Sequence, residues 1–474
     1  MTNFHKYQVV IIGAGVAGLT CAKHLIDNGI DDFIILEADE QIGGRIKTLI
    51  LEDHVFDLGA QWIYGKTSNP IYDLAEDNNL IDDVDTDSDE KDDYFHDQDG
   101  ESIDEDLVDE IQNAYDEIID KVNSYPVKHY PDLSLGEFIC AEVDNYLVKH
   151  RDDINRSKQV FDWLMKEEQA NIGCNRLTDV SIQGWNAYEE FDDKQEINLK
   201  YGYSQLLTIL MKSIPYDKVK LNTIVKRIEI GENDDEYVEV ETIDSNNEIV
   251  SEHYHSKYVV CTMSLGVLKQ TINQLFHPPL PQAKRTAIQK LGFGTVDKIF
   301  LVFEKSFWDA DYNSFQLLWD NSISWTLKVL QNTKFNVSMI IFDVARKQSN
   351  VLVTFMSGET AKYVENMPDD LLAYAFQELL SRFFTDLQVP VPIKIIRSQW
   401  NNDHYIQGSH TFIKIGSTTN DIKSYAFPVL DKKNSPLILF AGEGTHEKYY
   451  STTHGAYLSG IREAQRIIED FTNY

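Results

Sequence analysis

Cations are the scarce charge in this chain: 43 Lys and Arg face 77 Asp and Glu among 474 residues, a formal charge of −34. A nucleic-acid partner needs clustered basic side chains, so none is expected. Long apolar runs are missing too. None approaches the roughly 18 residues of a membrane-spanning helix, and no membrane partner is expected. Cysteine is rare: Cys21, Cys140, Cys174 and Cys261 stand apart, without metal or redox spacing. That pattern predicts no metal and a reducing compartment, in which the sequons at Asn155 and Asn336 carry no weight. "MTNFHKYQVV" enters the first strand with neither a charged leader nor an apolar signal core, and "FTNY" matches no targeting address. A cytoplasmic protein is the expectation.

What is present is ample core material. With 42% apolar and 11% aromatic residues the chain can bury large cores, and its length calls for two domains. The acids are unevenly spread: Asp82 to Asp120 holds nineteen of them against one lysine, Lys91. Such a field would attract a cationic substrate. The stretch itself reads as a solvated loop that aids solubility, and "DTDSDEKDDYFHDQDG" within it reads as exposed loop rather than core.

"YQVVIIGAG" reads as a parallel strand covered on both faces. Gly13 permits a tight turn, Gly15 lets the backbone approach a pyrophosphate, and Gly18 lets a helix from about Val16 to Asn28 pack on the strand. The free N–H groups and positive dipole end of that helix would face phosphates. A second strand, "DFIILEA", ends in Glu37, an acceptor for ribose hydroxyls that would repel a 2′-phosphate. Strand, turn, helix, strand and terminal acid together predict a bound dinucleotide. Downstream, "QIGGRI" offers a second close approach at Gly43 and Gly44 and a fixed cation in Arg45. At the far end, "PLILFAGEGTHEKYYSTTHGAYLSGIREAQRIIEDF" reads as a buried strand (Leu437 to Ala441), Gly442-Glu443-Gly444, a loop and a long helix. Tyr457, Ile461, Ala464, Ile468 and Phe471 form its expected buried stripe. The helix start beside Ser451, Thr452 and Thr453 would stabilise an anionic ring.

The segments "GAGVAGL", "EADEQIGGRI", "DLGAQWIYG", "YGYSQLL", "VVCTMSLGVLK", "DKIFLVFE" and "AGEGTHEKYYSTTHGAYLSG" resemble the flavin-containing amine oxidase family. The resemblance runs along nearly the whole chain and is greatest to the animal polyamine oxidases. It implies an α/β fold: a Rossmann-like FAD-binding domain with an interleaved α+β substrate domain. Expected borders are 1–71, 197–279 and 393–474 for the FAD-binding domain, and 72–196 with 280–392 for the substrate domain. Carried over by position, FAD contacts fall on Gly13, Gly15, Gly18, Glu37, Gly43, Gly44, Arg45, Gly59, Ala60, Gln61, Trp62, Val225, Trp400, Glu443, Thr452 and Thr453. No cysteine follows Cys261, so the flavin is expected to be non-covalent.

Lys298 stands in "FGTVDKIFLVFE" among largely apolar neighbours. The pattern alone suggests a lysine snorkelling to solvent; the resemblance implies instead a lysine that holds a water against the flavin N5. Burial there would lower its pKa. The implied reaction removes hydride from the carbon next to an amine nitrogen, with oxygen as the final acceptor, and the protein mainly orients and desolvates. Small cationic amines such as spermine, spermidine or their N1-acetyl forms are the implied substrates. Glu189, Glu190 and the acids near Asp192 are candidates for distal ammonium groups, with Ser451 and Thr452 also near the substrate. Two departures bear on substrate choice. Tyr64 replaces the histidine usual in the animal enzymes, and His410 replaces an aromatic residue, commonly tyrosine. The alternatives are an oxidase of monoamines, amino acids or a lysine side chain, and a non-catalytic FAD-binding protein.

Overall fold

The computed structural model describes all residues except 1–2, 53, 83–91, 126–132, 151–152, 192, 194, 232–236, 245–246, 310–311, 320–340, 346–347 and 473–474. The chain forms two compact units. The first comprises 1–82, 187–293 and 403–474, and the second 83–186 and 294–402. These borders differ from the expected ones for local reasons. Ile81 bridges Leu199 and the Asp82 N–H donates to the Asn198 carbonyl, so 72–82 stays with the first unit. The helix Gln282–Lys290 packs on the helix Thr419–Ala426, which keeps 280–293 there as well. Residues 393–402 join the second unit through the strand Lys394–Arg397, which pairs with Val296–Val302.

In the first unit the strand Asn3–Ile12 is central. It pairs in parallel with Phe33–Leu36 on one side and with Asn247–Cys261 on the other. Val9 to Ile12 are buried, as a strand covered on both faces requires. The expected meander is present: Thr223–Ile230, Val238–Asp244 and Asn247–Cys261 pair successively antiparallel. Pro436–Phe440 then joins Asn247–Cys261 in parallel. The helices Val16–Asp27 and Thr453–Thr472 pack together on one face. A Cβ on Gly460 would lie 2.3 Å from the Ala17 carbonyl oxygen, so only glycine permits this approach. The buried stripe of the C-terminal helix is therefore rotated from the expected one. Ser459, Gly460, Glu463, Ala464 and Ile467 are buried, whereas Tyr457, Ile468 and Phe471 pack only partly on the core. Small residues win the inner face because the neighbouring backbone is so near.

The second unit contains a six-stranded sheet in the order Lys394–Arg397, Val296–Val302, Val351–Ser357, Ile341–Val344, Tyr312–Leu318 and Asp92–Asp97. The last strand corrects the sequence reading of an exposed loop. Phe95, His96 and Asp97 are buried, and Asp92–Asp97 pairs in parallel with Tyr312–Leu318. Backbone pairing and one aromatic anchor outweigh the polar composition. Further along the acidic stretch, Glu105–Asn123 is a helix rather than a loop. Its buried residues Val108, Ile111, Tyr115, Ile118 and Val122 recur at helical spacing, and Asp104 caps it by accepting from the Asp106 N–H. Residues 83–91 lie outside the described part. Among the described residues no helix is long and apolar enough to cross a membrane, and no cluster could hold a metal ion.

Candidate functional site

The glycine turn of the first unit is built from backbone. Gly13 has φ +102°, which favours glycine, and its N–H donates to the Leu36 carbonyl at 2.8 Å. A Cβ on Gly18 would sit 2.0 Å from the Gly13 carbonyl oxygen. At Gly15 the nearest atom to a Cβ is the Gly43 carbonyl oxygen, 3.9 Å away. Open ground thus lies ahead of the helix Val16–Asp27. That helix has no side-chain cap and no acid in its first turn, so its leading N–H groups have no side-chain partner. The Gly43-Gly44 segment closes the cradle: Gly43 bridges Gly15 and donates to the Ala14 carbonyl at 3.0 Å. Uncapped amides, a positive dipole end and glycine walls suit a pyrophosphate.

Glu37 is buried beside this turn. Its carboxylate accepts from the Ala14 N–H at 2.6 Å and from the Asp39 N–H at 2.9 Å. Burial pushes its pKa up, opposed by these backbone donors. The Thr223 N–H donates to the Glu37 carbonyl at 2.7 Å, which brings Val225, two residues along the same strand, to the Glu37 side of the sheet. Arg45 is held by the Ser409 carbonyl and by Glu443, each at 2.7 Å from its Nη1. The buried Glu443 also accepts from the Thr411 hydroxyl at 3.0 Å and the Ser451 N–H at 2.9 Å. Half-buried Gly59, Ala60, Gln61 and Trp62 follow, and Ala60 donates to the Arg45 carbonyl at 3.1 Å. These residues fit the FAD assigned by resemblance.

Other expected positions have visible local duties. The Thr452 hydroxyl donates to the Tyr449 carbonyl at 2.7 Å and accepts from the Gly455 N–H at 3.0 Å, capping the helix that Thr453 begins. Ser451 donates to the Thr411 carbonyl. Glu189 is exposed and paired with Lys448 at 2.8 Å, and Glu190 is exposed beside it. Tyr64 is 44% exposed, on a short strand opposite Glu196, while His410 is half-buried. Asp192 lies outside the described residues. A ring cluster of Phe191, Tyr449 and His454 surrounds the start of the C-terminal helix, with centroids 4.9 to 5.1 Å apart. Burial lowers the His454 pKa to about 4, so its ring is neutral near pH 7.

In the second unit Lys298 occupies an interior strand and is 7% exposed, not snorkelled. Its Nζ lies 5.7 Å from the centroid of the Phe355 ring, and its N–H donates to the Ser398 hydroxyl at 2.9 Å. Trp400, also buried, donates its N–H to Asp297 at 3.1 Å. The sequence reading missed Asp297, Glu365, Ser398 and Thr411. For Asp297 a signal existed, since it puts a second charge beside Lys298 inside an apolar strand.

A family model described as flavin containing amine oxidoreductase matches residues 16–468. The human peroxisomal N(1)-acetyl-spermine/spermidine oxidase is 29% identical over 97% of this chain and 94% of its own length. A possible lysine-specific histone demethylase 1 of Drosophila melanogaster is 26% identical over 98% of this chain and 64% of its own. Among solved structures, a putrescine oxidase bound to putrescine superposes with a TM-score of 0.72 at 17% identity, covering 98% of this chain and 100% of the other. That likeness concerns the fold.

Proposed function

The chain belongs to the flavin containing amine oxidoreductase family, and from that premise we propose that it oxidises polyamines: spermine, spermidine or their N1-acetyl forms. The observation that carries this reading is the match to an N(1)-acetyl-spermine/spermidine oxidase across nearly all of both chains. When bound, FAD supplies the hydride acceptor and, with molecular oxygen, the route to hydrogen peroxide. Gly13, Gly15, Gly18, Gly43 and Gly44 hold the pyrophosphate, Glu37 the ribose, and the strand at Val225 the adenine edge. Arg45 and Glu443, with 59–62, Trp400, Thr452 and Thr453, complete the cofactor contacts. The flavin is non-covalent, so acid precipitation should leave the yellow chromophore in solution.

In this reading Lys298 hydrogen-bonds a water used in the reaction. The reacting nitrogen must be neutral, because only its lone pair stabilises the forming iminium. Water hydrolyses the resulting imine to an aminoaldehyde and an amine. Glu190 serves the substrate's far ammonium group, and Glu189 joins it by exchanging Lys448 for it, while Tyr64 and His410 bear on substrate choice. Ser451 and Thr452 lie near the substrate. A cytoplasmic location is part of the proposal, resting on the few, scattered cysteines of the sequence.

A peroxide-coupled screen of spermine, spermidine, their N1-acetyl forms, putrescine, a monoamine, amino acids and a methyl-lysine peptide tests the assignment. A polyamine should give the highest kcat/KM, and its advantage should shrink as salt screens its attraction to the acidic protein. A monoamine or amino acid that outperforms every polyamine overturns it. The peptide arm tests the second reading, a lysine side chain, which the demethylase match favours.

A further inference from the structure

The strand Val296–Val302 carries two adjacent charged residues, and the proposed reaction uses only Lys298. Asp297 faces the opposite side of the sheet and is 2% exposed. Glu365, the last residue of the helix Gly358–Glu365, is 3% exposed and hydrogen-bonded to Asp297, carboxyl to carboxyl. Two carboxylates are both acceptors, so this contact requires a proton between them. The remaining oxygens are served by one short segment. Asp297 Oδ1 accepts from the Ser398 hydroxyl at 2.8 Å and the Trp400 N–H at 3.1 Å. Glu365 accepts from the Asn401 N–H at 2.7 Å and the Asn402 N–H at 3.0 Å. Asp297 Oδ2 is buried, and among the described residues no donor reaches it. A proton on Glu365 would satisfy it. Ser398, in turn, is paired with the backbone of Lys298 in both directions, accepting at 2.9 Å and donating at 3.1 Å.

We propose that Asp297 and Glu365 hold one proton between them and act as a positioning pair, fixing Ser398–Asn402, and with it Trp400 and the backbone at Lys298, for amine oxidation. The role in oxidation rests on the reading that Lys298 and Trp400 serve the reaction; the shared proton does not. Burial, then the Asp297 charge, pushes Glu365 up to about 8. Of the other charged groups, Arg397 on the neighbouring strand faces the pair, whereas Lys298 points to the opposite face of the sheet. On the far side, Val351–Ser357 sets uncharged Met356 opposite Asp297. Because the folded pKa of Glu365 is raised, its contribution to stability is full below the ordinary carboxylate range and is lost as pH rises through about 8.

The test compares wild-type holoenzyme with Glu365→Gln, which cannot ionise, and with Asp297→Asn. Three readouts are expected. Wild type shows an infrared band of a buried protonated carboxyl at pH 7, and Glu365→Gln lacks it. Relative to Glu365→Gln, the Tm of wild type falls as pH rises through about 8, and Asp297→Asn moves that fall to lower pH without abolishing it, because burial of Glu365 remains. With spermine or N1-acetylspermine, the flavin reduction rate of Glu365→Gln stays within about threefold of wild type at pH 7 and no longer declines above pH 8 for this reason, whereas Glu365→Ala loses about tenfold or more in kcat with little change in KM. If Glu365→Gln keeps both the band and the alkaline fall in Tm, no shared proton exists and the proposal is overturned. If the variants change Tm but leave the reduction profile untouched, the pair is structural only, and the positioning role is overturned. A silent Lys298→Met would instead remove the proposed role of Lys298 while the infrared band persisted, which separates the two failures.

Discussion

The glycine turn of the first unit and the Lys298 strand of the second solve opposite problems. Around Gly13 and Gly18 the atoms on offer are main-chain N–H groups, and the cradle is defined by side-chain atoms that are missing. Around Lys298 the candidate groups are buried ionisable side chains, with Asp297 and Glu365 held by donors from Ser398, Trp400, Asn401 and Asn402. A site of the first kind fails when matter is added. One of the second kind fails when a proton or a hydrogen bond is taken away.

The largest expected effect comes from adding atoms to the turn. Gly18→Val forces a side chain into the Gly13 carbonyl, 2.0 Å from where a Cβ would lie, so the protein should purify colourless and with a sharply lowered Tm. A yellow, stable Gly18→Val protein would break the contrast at its root. Next is Glu443→Ala, which leaves Arg45, Thr411 and Ser451 without their shared acceptor. Arg45 is partly exposed, so the loss should fall below the cost of breaking a fully buried pair, on the order of 2 kcal/mol, and denaturant unfolding together with FAD retention measures it. Third is Lys298→Met, which keeps the strand's packing. It should bind FAD yet slow reduction, reoxidation or both by at least about tenfold, roughly 1.4 kcal/mol in barrier. Equal rates by stopped flow would remove Lys298 from the site.

Two finer tests sharpen the comparison. Lys284 in the first unit is buried, with its ammonium donating to the Ser424 and Tyr425 carbonyls, and burial lowers its pKa to about 7. The unfolded chain therefore holds more protons than the folded one between pH 7 and the ordinary lysine value of about 10.4. Stability should gain from this residue as pH rises through that window, opposite in sign to Glu365, and Lys284→Met should flatten the gain in Tm–pH scans. The smallest effect is expected at Glu189→Gln, whose partner Lys448 is exposed. Tm should not change, so any altered kcat/KM for spermine there would report on substrate rather than on folding.

The nucleotide half was legible because its signals are local. The strand, glycine spacing and Glu37 lie within one short stretch, and each constrains backbone geometry directly. Lys298 could be singled out only through resemblance, since one lysine in an apolar strand equally suggests a snorkelling side chain. Glu365 was not legible. It ends a helix whose buried positions are otherwise Gly358, Ala361 and Val364, and nothing nearby in sequence marks a carboxyl that meets Asp297. The acidic stretch misled for a related reason. Phe95 and the apolar face Val108, Ile111, Tyr115, Ile118 and Val122 are sparse among acids, but they suffice once a sheet edge and neighbouring helices exist to receive them.

By itself, then, the sequence determined the dinucleotide turn, the meander that returns to it and the family to which the chain belongs. Each is written in residues close together, where hydrogen-bond geometry and hydrophobic period act over a few positions. Only the tertiary structure decided that Lys298 is buried, that Arg45 is pinned by Glu443 and that Asp297 meets Glu365. Burial and carboxyl contact depend on which distant segments pack together. Solvent exclusion, which sets the charge of those groups, is a property of the packed unit and of no single stretch of chain.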